Sequence, residues 1–239
     1  MSSEDEQSVA GPSIWVRSLR PSREEALQAF EMAQRHYAER RAAHPEEYEP
    51  EPEEEPCDPG PVRLLTVRPV LLHVENHMFL AQGDDDSSGY YKDEPTTDVS
   101  NGLVDVFGSV VQFYTGIAVG HLHLQVDYRA DAPQELELDE WEDVVEVSAQ
   151  LTAPCTRFGS YDDNVPEEWP DVNQQGPGWY RIRAHCRGRD LDYDSAPEVP
   201  REHHRIVVWP APQTGSILYK LNDYTGMDKR RSDAVRVSR

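Results

Sequence analysis

The sequence predicts a mainly β protein, an antiparallel β-sandwich or barrel of about eight strands with one N-terminal amphipathic helix. Three observations carry this. Short runs with a two-residue hydrophobic period recur from Val62 onward, glycine and proline separate them, and no helical run lies between them. The clearest run is GPGWYRIRAHCRGRD, Gly176 to Asp190. Gly176, Pro177 and Gly178 are turn residues, after which Tyr180, Ile182, Ala184 and Cys186 share one parity and Arg181, Arg183, His185 and Arg187 the other. That pattern predicts a half-buried strand, flanked by VVEVSAQL before it and RIVVWP after it.

Residues 1–20 are polar and read as a disordered or partly ordered N-terminus. Pro21, Ser22 as N-cap and Glu25 at capping-box spacing open a helix over 21–45, with Leu27, Phe30, Ala33 and Tyr37 as its apolar stripe. Pro45 stops it. Residues 46–61, EEYEPEPEEEPCDPGP, hold eight acidic residues and no basic one, so they read as a solvated, extended linker.

The β domain is expected over 62–225. In VLLHVENHMFLAQ, Leu72, Val74, Met78 and Leu80 are assigned to one face and His73, Glu75 and His77 to the other. Residues 83–101 read as a long polar loop. LVDVF, SVVQFYTGI and VGHLHLQVDYR supply three further strands. In the last of these Leu122, Leu124, Val126 and Tyr128 oppose His121, His123, Gln125 and Asp127. In ELELDEWEDVVEVSAQL, Trp141, Val145, Val147, Ala149 and Leu151 are the expected core. Residues 153–175 read as a second long loop, and His203 and His204 as surface. Pro210 and Pro212 predict a strand ending at a sheet edge, and SILYKL the last strand. Residues 226–239 form a basic tail that neutralises an acidic patch or stays disordered.

Charge narrows the function classes. Asp and Glu total 45 against 23 Lys and Arg, a formal net charge of −22. Nucleic acid and anionic membrane surfaces are themselves polyanions, so neither is an expected partner, whereas a basic protein is. No apolar run approaches the about 18 residues of a membrane helix, and the start MSSEDEQS lacks the apolar stretch of a signal peptide, so a cytoplasmic address is expected. Three cysteines without metal-like spacing read as small apolar residues or idle thiols. No nucleophile elbow, phosphate loop or zincin helix is present, and a non-enzymatic protein is expected.

The series NGLV, YTGI followed by Gly120 and a strand, WxxVVEVS, PGWYRIRAHCRGRD and VVWPAP resembles a family of bacterial β proteins of unassigned function, from roughly Leu71 to the end. More distantly, a tryptophan-containing run, a strand, a glycine-led tyrosine strand and a closing strand are similar in order to the competence protein J family, inhibitors of a DNA-entry nuclease. That resemblance implies a small β fold that binds and silences a nuclease. The helix and acidic linker before Val62 depart from it.

Two functions follow as expectations. The first is an acidic binding protein of the nuclease-inhibitor or toxin-immunity type, needing no cofactor. It would meet a basic partner through the acidic linker, Asp84, Asp85 and Asp86, with the loop aromatics Tyr90, Tyr91, Tyr161 and Trp169 as contacts. The alternative is a metal-binding β-barrel. His121 and His123 stand two apart on one strand face and His73 and His77 repeat the arrangement around Glu75, so paired strands could gather ligands for zinc or iron.

Overall fold

A computed structural model describes residues 66–83, 100–160 and 165–237, together with Met32, Arg35, Glu39, Ala42 and Ala43. The chain divides into two units, Met1–Glu53 and Glu54–Arg239. In the first, the five described residues are helical and exposed. The rest of the helix expected over 21–45 and the whole linker at 46–61 fall outside the described residues.

Asn76 and His77 organise the start of the second unit. Both adopt positive φ, 55° and 60°, the conformation a two-residue hairpin turn requires and one that asparagine tolerates well. They join β1 (Val70–Glu75) to β2 (Met78–Gln82), with Glu75 opposite Met78. The expected single alternating strand is therefore a hairpin, and the turn flips the parity. Phe79 and Ala81 enter the core in place of Met78 and Leu80.

The remaining strands are β3 (Val104–Phe107), β4 (Val110–Tyr114), β5 (Val119–Tyr128), β6 (Asp143–Leu151), β7 (Arg157–Gly159), β8 (Gly178–Arg187), β9 (His203–Pro210) and β10 (Ile217–Leu221). All ten belong to one sheet of order β10-β6-β8-β9-β5-β1-β2-β4-β3, with β7 on β2. The sheet curls, bringing β3 at one end against β6 near the other. The protein is mainly β as expected, but in place of an antiparallel sandwich or barrel of about eight strands the described residues form one curled ten-stranded sheet. Its pairing is also mixed, because β9 runs parallel to β5, with His123 opposite His203 and Tyr128 opposite Val208. The intervening chain makes β6 and β8, lays β8 antiparallel on β6, and returns to β5 in β5's own direction. β9 is therefore interior, and Pro210 sits in it as its final residue opposite Tyr180. Only its position at the strand end matches the expectation drawn from proline.

The core fills the concave side. Phe79 and Phe113 stack with ring centroids 4.7 Å apart, and Phe158 packs on Phe113. Leu122, Leu124, Val126, Ile182, Ala184, Ile206 and Val208 bury the apolar parity of β5, β8 and β9. Each large aliphatic or aromatic side chain so buried contributes about 1.5–3 kcal/mol.

The basic tail is a helix, α1 (Tyr224–Val237). Asp223 is its N-cap, its Oδ1 accepting the Gly226 amide at 2.8 Å, while Asp190 accepts the Tyr224 and Thr225 amides. Arg230 donates to the Asn101 carbonyl at 3.0 Å and lies 3.5 Å from Asp143, so this residue does neutralise buried acid. The segment lacks an apolar stripe, which is why periodicity did not reveal the helix. Caps and ion pairs dock it.

Candidate functional site

The second parity of β8 was expected to face water, yet Arg181, Arg183 and His185 are all buried. Their charge and hydrogen-bonding capacity are met locally, as burial demands. Glu146, their neighbour on β6, accepts Arg181 Nε and Nη2 on Oε1 at 2.8 and 2.7 Å, and Arg183 Nε on Oε2 at 2.9 Å. The Arg183 guanidinium also lies between the rings of Trp209 and Tyr219, 5.3 Å from each centroid.

What covers these groups is the segment 131–140, DAPQELELDE. Arg183 Nη1 donates to the Glu135 carbonyl at 3.1 Å, His185 Nε2 lies 3.4 Å from the Leu136 carbonyl, and Lys220 Nζ donates to the Leu138 carbonyl at 3.0 Å. Arg183, His185 and Lys220 thus fix the backbone of an arm that carries five acidic residues and no basic one. All five, Asp131, Glu135, Glu137, Asp139 and Glu140, are exposed. Glu137 is additionally ion-paired with Arg205, which also binds the buried Asp127. β8 and β10 hold the arm by its carbonyls and leave its acidic side chains exposed.

Where the arm approaches β5 and β9 it walls a cleft of about 620 Å³. His123 and His203 stack on its floor with centroids 4.4 Å apart, and Trp141, under the Arg187 guanidinium at 5.3 Å, closes one side. Burial, reinforced by His123 and Arg187, lowers the His203 pKa to about 4, so the ring is neutral at pH 7. An unfolded histidine titrates near 6.5. Because the folded value lies below the unfolded one, the unfolded state takes the proton first, and stability is lost as pH falls from about 6.5 to about 4. His203→Asn should make thermal unfolding less acid-sensitive across that window. The slope should shrink without vanishing, since burial lowers His185 as well; an unchanged slope would refute the assignment.

The four histidines proposed as metal ligands separate into three places. His73 and His121 face each other across β1 and β5, with rings edge-on at 5.1 Å. His123 instead meets His203, and opposite it on β1 stands Leu71. His77, in the hairpin turn, bonds Asp194 at 3.1 Å. Among the described residues no three metal-binding side chains converge. Of the expected partner contacts, Trp169 is in the core at 7% exposure, and Asp84, Asp85, Asp86, Tyr90, Tyr91 and Tyr161 lie outside the described residues.

A second buried polar cluster ties the far ends of the sheet together. Arg189, fully buried, binds Asp223 through Nε at 2.6 Å and Asp143 through Nη2 at 3.3 Å, and donates to the carbonyls of Gly102 and Tyr114. Gly116 leaves room for this loop, since a Cβ there would run into the Arg189 backbone. Glu202 accepts the amides of Gly116 and Ile117 and the His204 Nε2 contact at 2.7 Å. His204, expected on the surface, is 1% exposed. Burial pushes the free Cys186 thiol well up, so it is no nucleophile. Cys155, expected as a thiol, is disulfide-bonded, a bond that a reducing cytosol disfavours.

No family model matches the chain. No curated protein matches it either. Among solved structures, the chain is similar to ComJ, inhibitor of the DNA degrading activity of NucA, from Bacillus subtilis, at 11% identity and a TM-score of 0.39, over 63% of this chain and 100% of that one. It is also similar to the crocagin biosynthetic gene J product, at 15% identity and a TM-score of 0.37, over 60% of this chain and 96% of that one. At these values no function is carried over from either.

Proposed function

We propose that this chain is a non-enzymatic binding protein that presents an acidic surface to a basic protein. The observation that carries the reading is the arm 131–140, held through three backbone carbonyls by the buried Arg183 and His185 and the half-buried Lys220 while its five acidic residues stay exposed. An arm fixed before contact loses little conformational entropy on binding, and a field of one sign speeds encounter with a partner of the other. The net charge of −22 extends that field beyond the arm.

The acidic run 46–61 and Asp84, Asp85 and Asp86 would add to the field, with Tyr90, Tyr91 and Tyr161 as apolar anchors. A nuclease inhibitor or toxin-immunity protein is the form of this function that the resemblance to competence protein J implies. No helix among the described residues is long and apolar enough to cross a membrane.

The test is a pull-down of the full chain from its own cell lysate at low and at high salt, with mass spectrometry of the bound fraction. One stoichiometric basic protein, held at low salt and released at high salt, supports the reading. A partner with an acidic surface, or one held equally at both salts, would overturn it.

A further inference from the structure

Between the edge strand β3 and the far half of β6 the curled sheet leaves a gap of about 540 Å³. Hydroxyls and amides from Asn101, Ser109, Ser148, Gln150 and Thr214 line it, with Trp179. Among its lining residues Asp105 alone is charged.

Asp105 is 4% exposed. The Tyr114 hydroxyl donates to its Oδ2 at 2.8 Å, but Oδ1 has no hydrogen-bond partner. Lys229, whose charge acts on Asp105 from a distance, sits over the Tyr114 ring at 4.7 Å and pairs with Asp233 at 3.4 Å. Burial raises the Asp105 pKa although Tyr114, Ser100 and Lys229 draw it down. A buried carboxylate oxygen without a donor is costly, and a donor arriving from outside removes that cost.

We propose that this gap receives a lysine or arginine side chain of the basic partner, whose cationic head donates to Asp105 Oδ1 while the surrounding hydroxyls and amides complete its hydrogen bonds. The proposal rests on the binding-protein reading and gives it a specific pocket. A cation suits the gap better than a neutral donor, since one buried negative charge asks for one positive charge and the remaining lining is neutral and polar.

The test uses the full chain, isotope-labelled for NMR, with pentalysine as the probe. Amide shifts at Asp105, Ser109, Ser148 and Thr214 are expected, and Asp105→Asn should weaken the affinity read at those residues about tenfold. The variant Glu135→Lys/Asp139→Lys/Glu140→Lys should keep the shifts in the gap. Shifts confined to 131–140, or shifts in the gap that Asp105→Asn leaves unchanged, would overturn the pocket and leave the acidic-surface reading standing. Absence of shifts at both places would overturn the pocket as well, while the lysate pull-down decides the wider reading separately.

Discussion

Replacing Arg189 by methionine is expected to lower folding stability by about 3–5 kcal/mol, read as a fall in the urea midpoint. The side chain is fully buried and meets two carboxylates, Asp143 and Asp223, that are themselves inaccessible to water. Removing the cation leaves both without it in a medium that cannot solvate them. The loss also spreads along the chain. Arg189 joins the carbonyls before β3 and at the end of β4 to the start of β6 and to the cap of α1, so four separated segments depend on one guanidinium. Adding Asp143→Asn should recover part of the loss, because Arg189 then leaves one fewer buried charge behind. A double variant no more stable than Arg189→Met alone would show that packing, not charge, dominates.

Glu146→Ala is expected to cost a similar amount, about 3–5 kcal/mol, by stranding two buried guanidiniums at once. Its further effect should differ. Arg183 bridges Glu146 to the Glu135 carbonyl, so hydrogen exchange over 131–140 should accelerate in Glu146→Ala well beyond what global unfolding explains. In Arg189→Met the arm should exchange only in step with global stability. Equal exchange of the arm in both variants would contradict the assignment of the β8 polar face as its anchor.

These two clusters mark where the sequence was legible and where it was not. Strand positions were readable, since the parity of Leu122, Leu124 and Val126, and of Tyr180, Ile182 and Ala184, records a buried face directly. Burial of the opposite parity was not. A period of two states that Arg181 and Arg183 point away from the core, but whether water or another segment lies there depends on a chain that crosses from forty or more residues away. Glu146 midway through an apolar strand was the available signal, and so was Asp105 within LVDVF, because a carboxylate on a buried strand needs a partner. The parity of Leu72, Val74, Met78 and Leu80 runs straight through Asn76, so periodicity does not show the hairpin there. The separation of the histidines depended on register, which pairs His123 with His203 on the parallel strand β9, and no local pattern predicts a parallel neighbour.

The most direct test of the central claim, that a pre-positioned acidic arm recruits a basic protein, is the association rate of the captured partner with the wild-type chain and with Glu135→Lys/Asp139→Lys/Glu140→Lys. Glu137 is left in place because it pairs with Arg205. The arm's backbone anchors remain, so folding stability should change little, while association at low salt should slow by about tenfold or more and the two rates should converge as salt rises. An association rate that is the same in both proteins at low salt would contradict the claim.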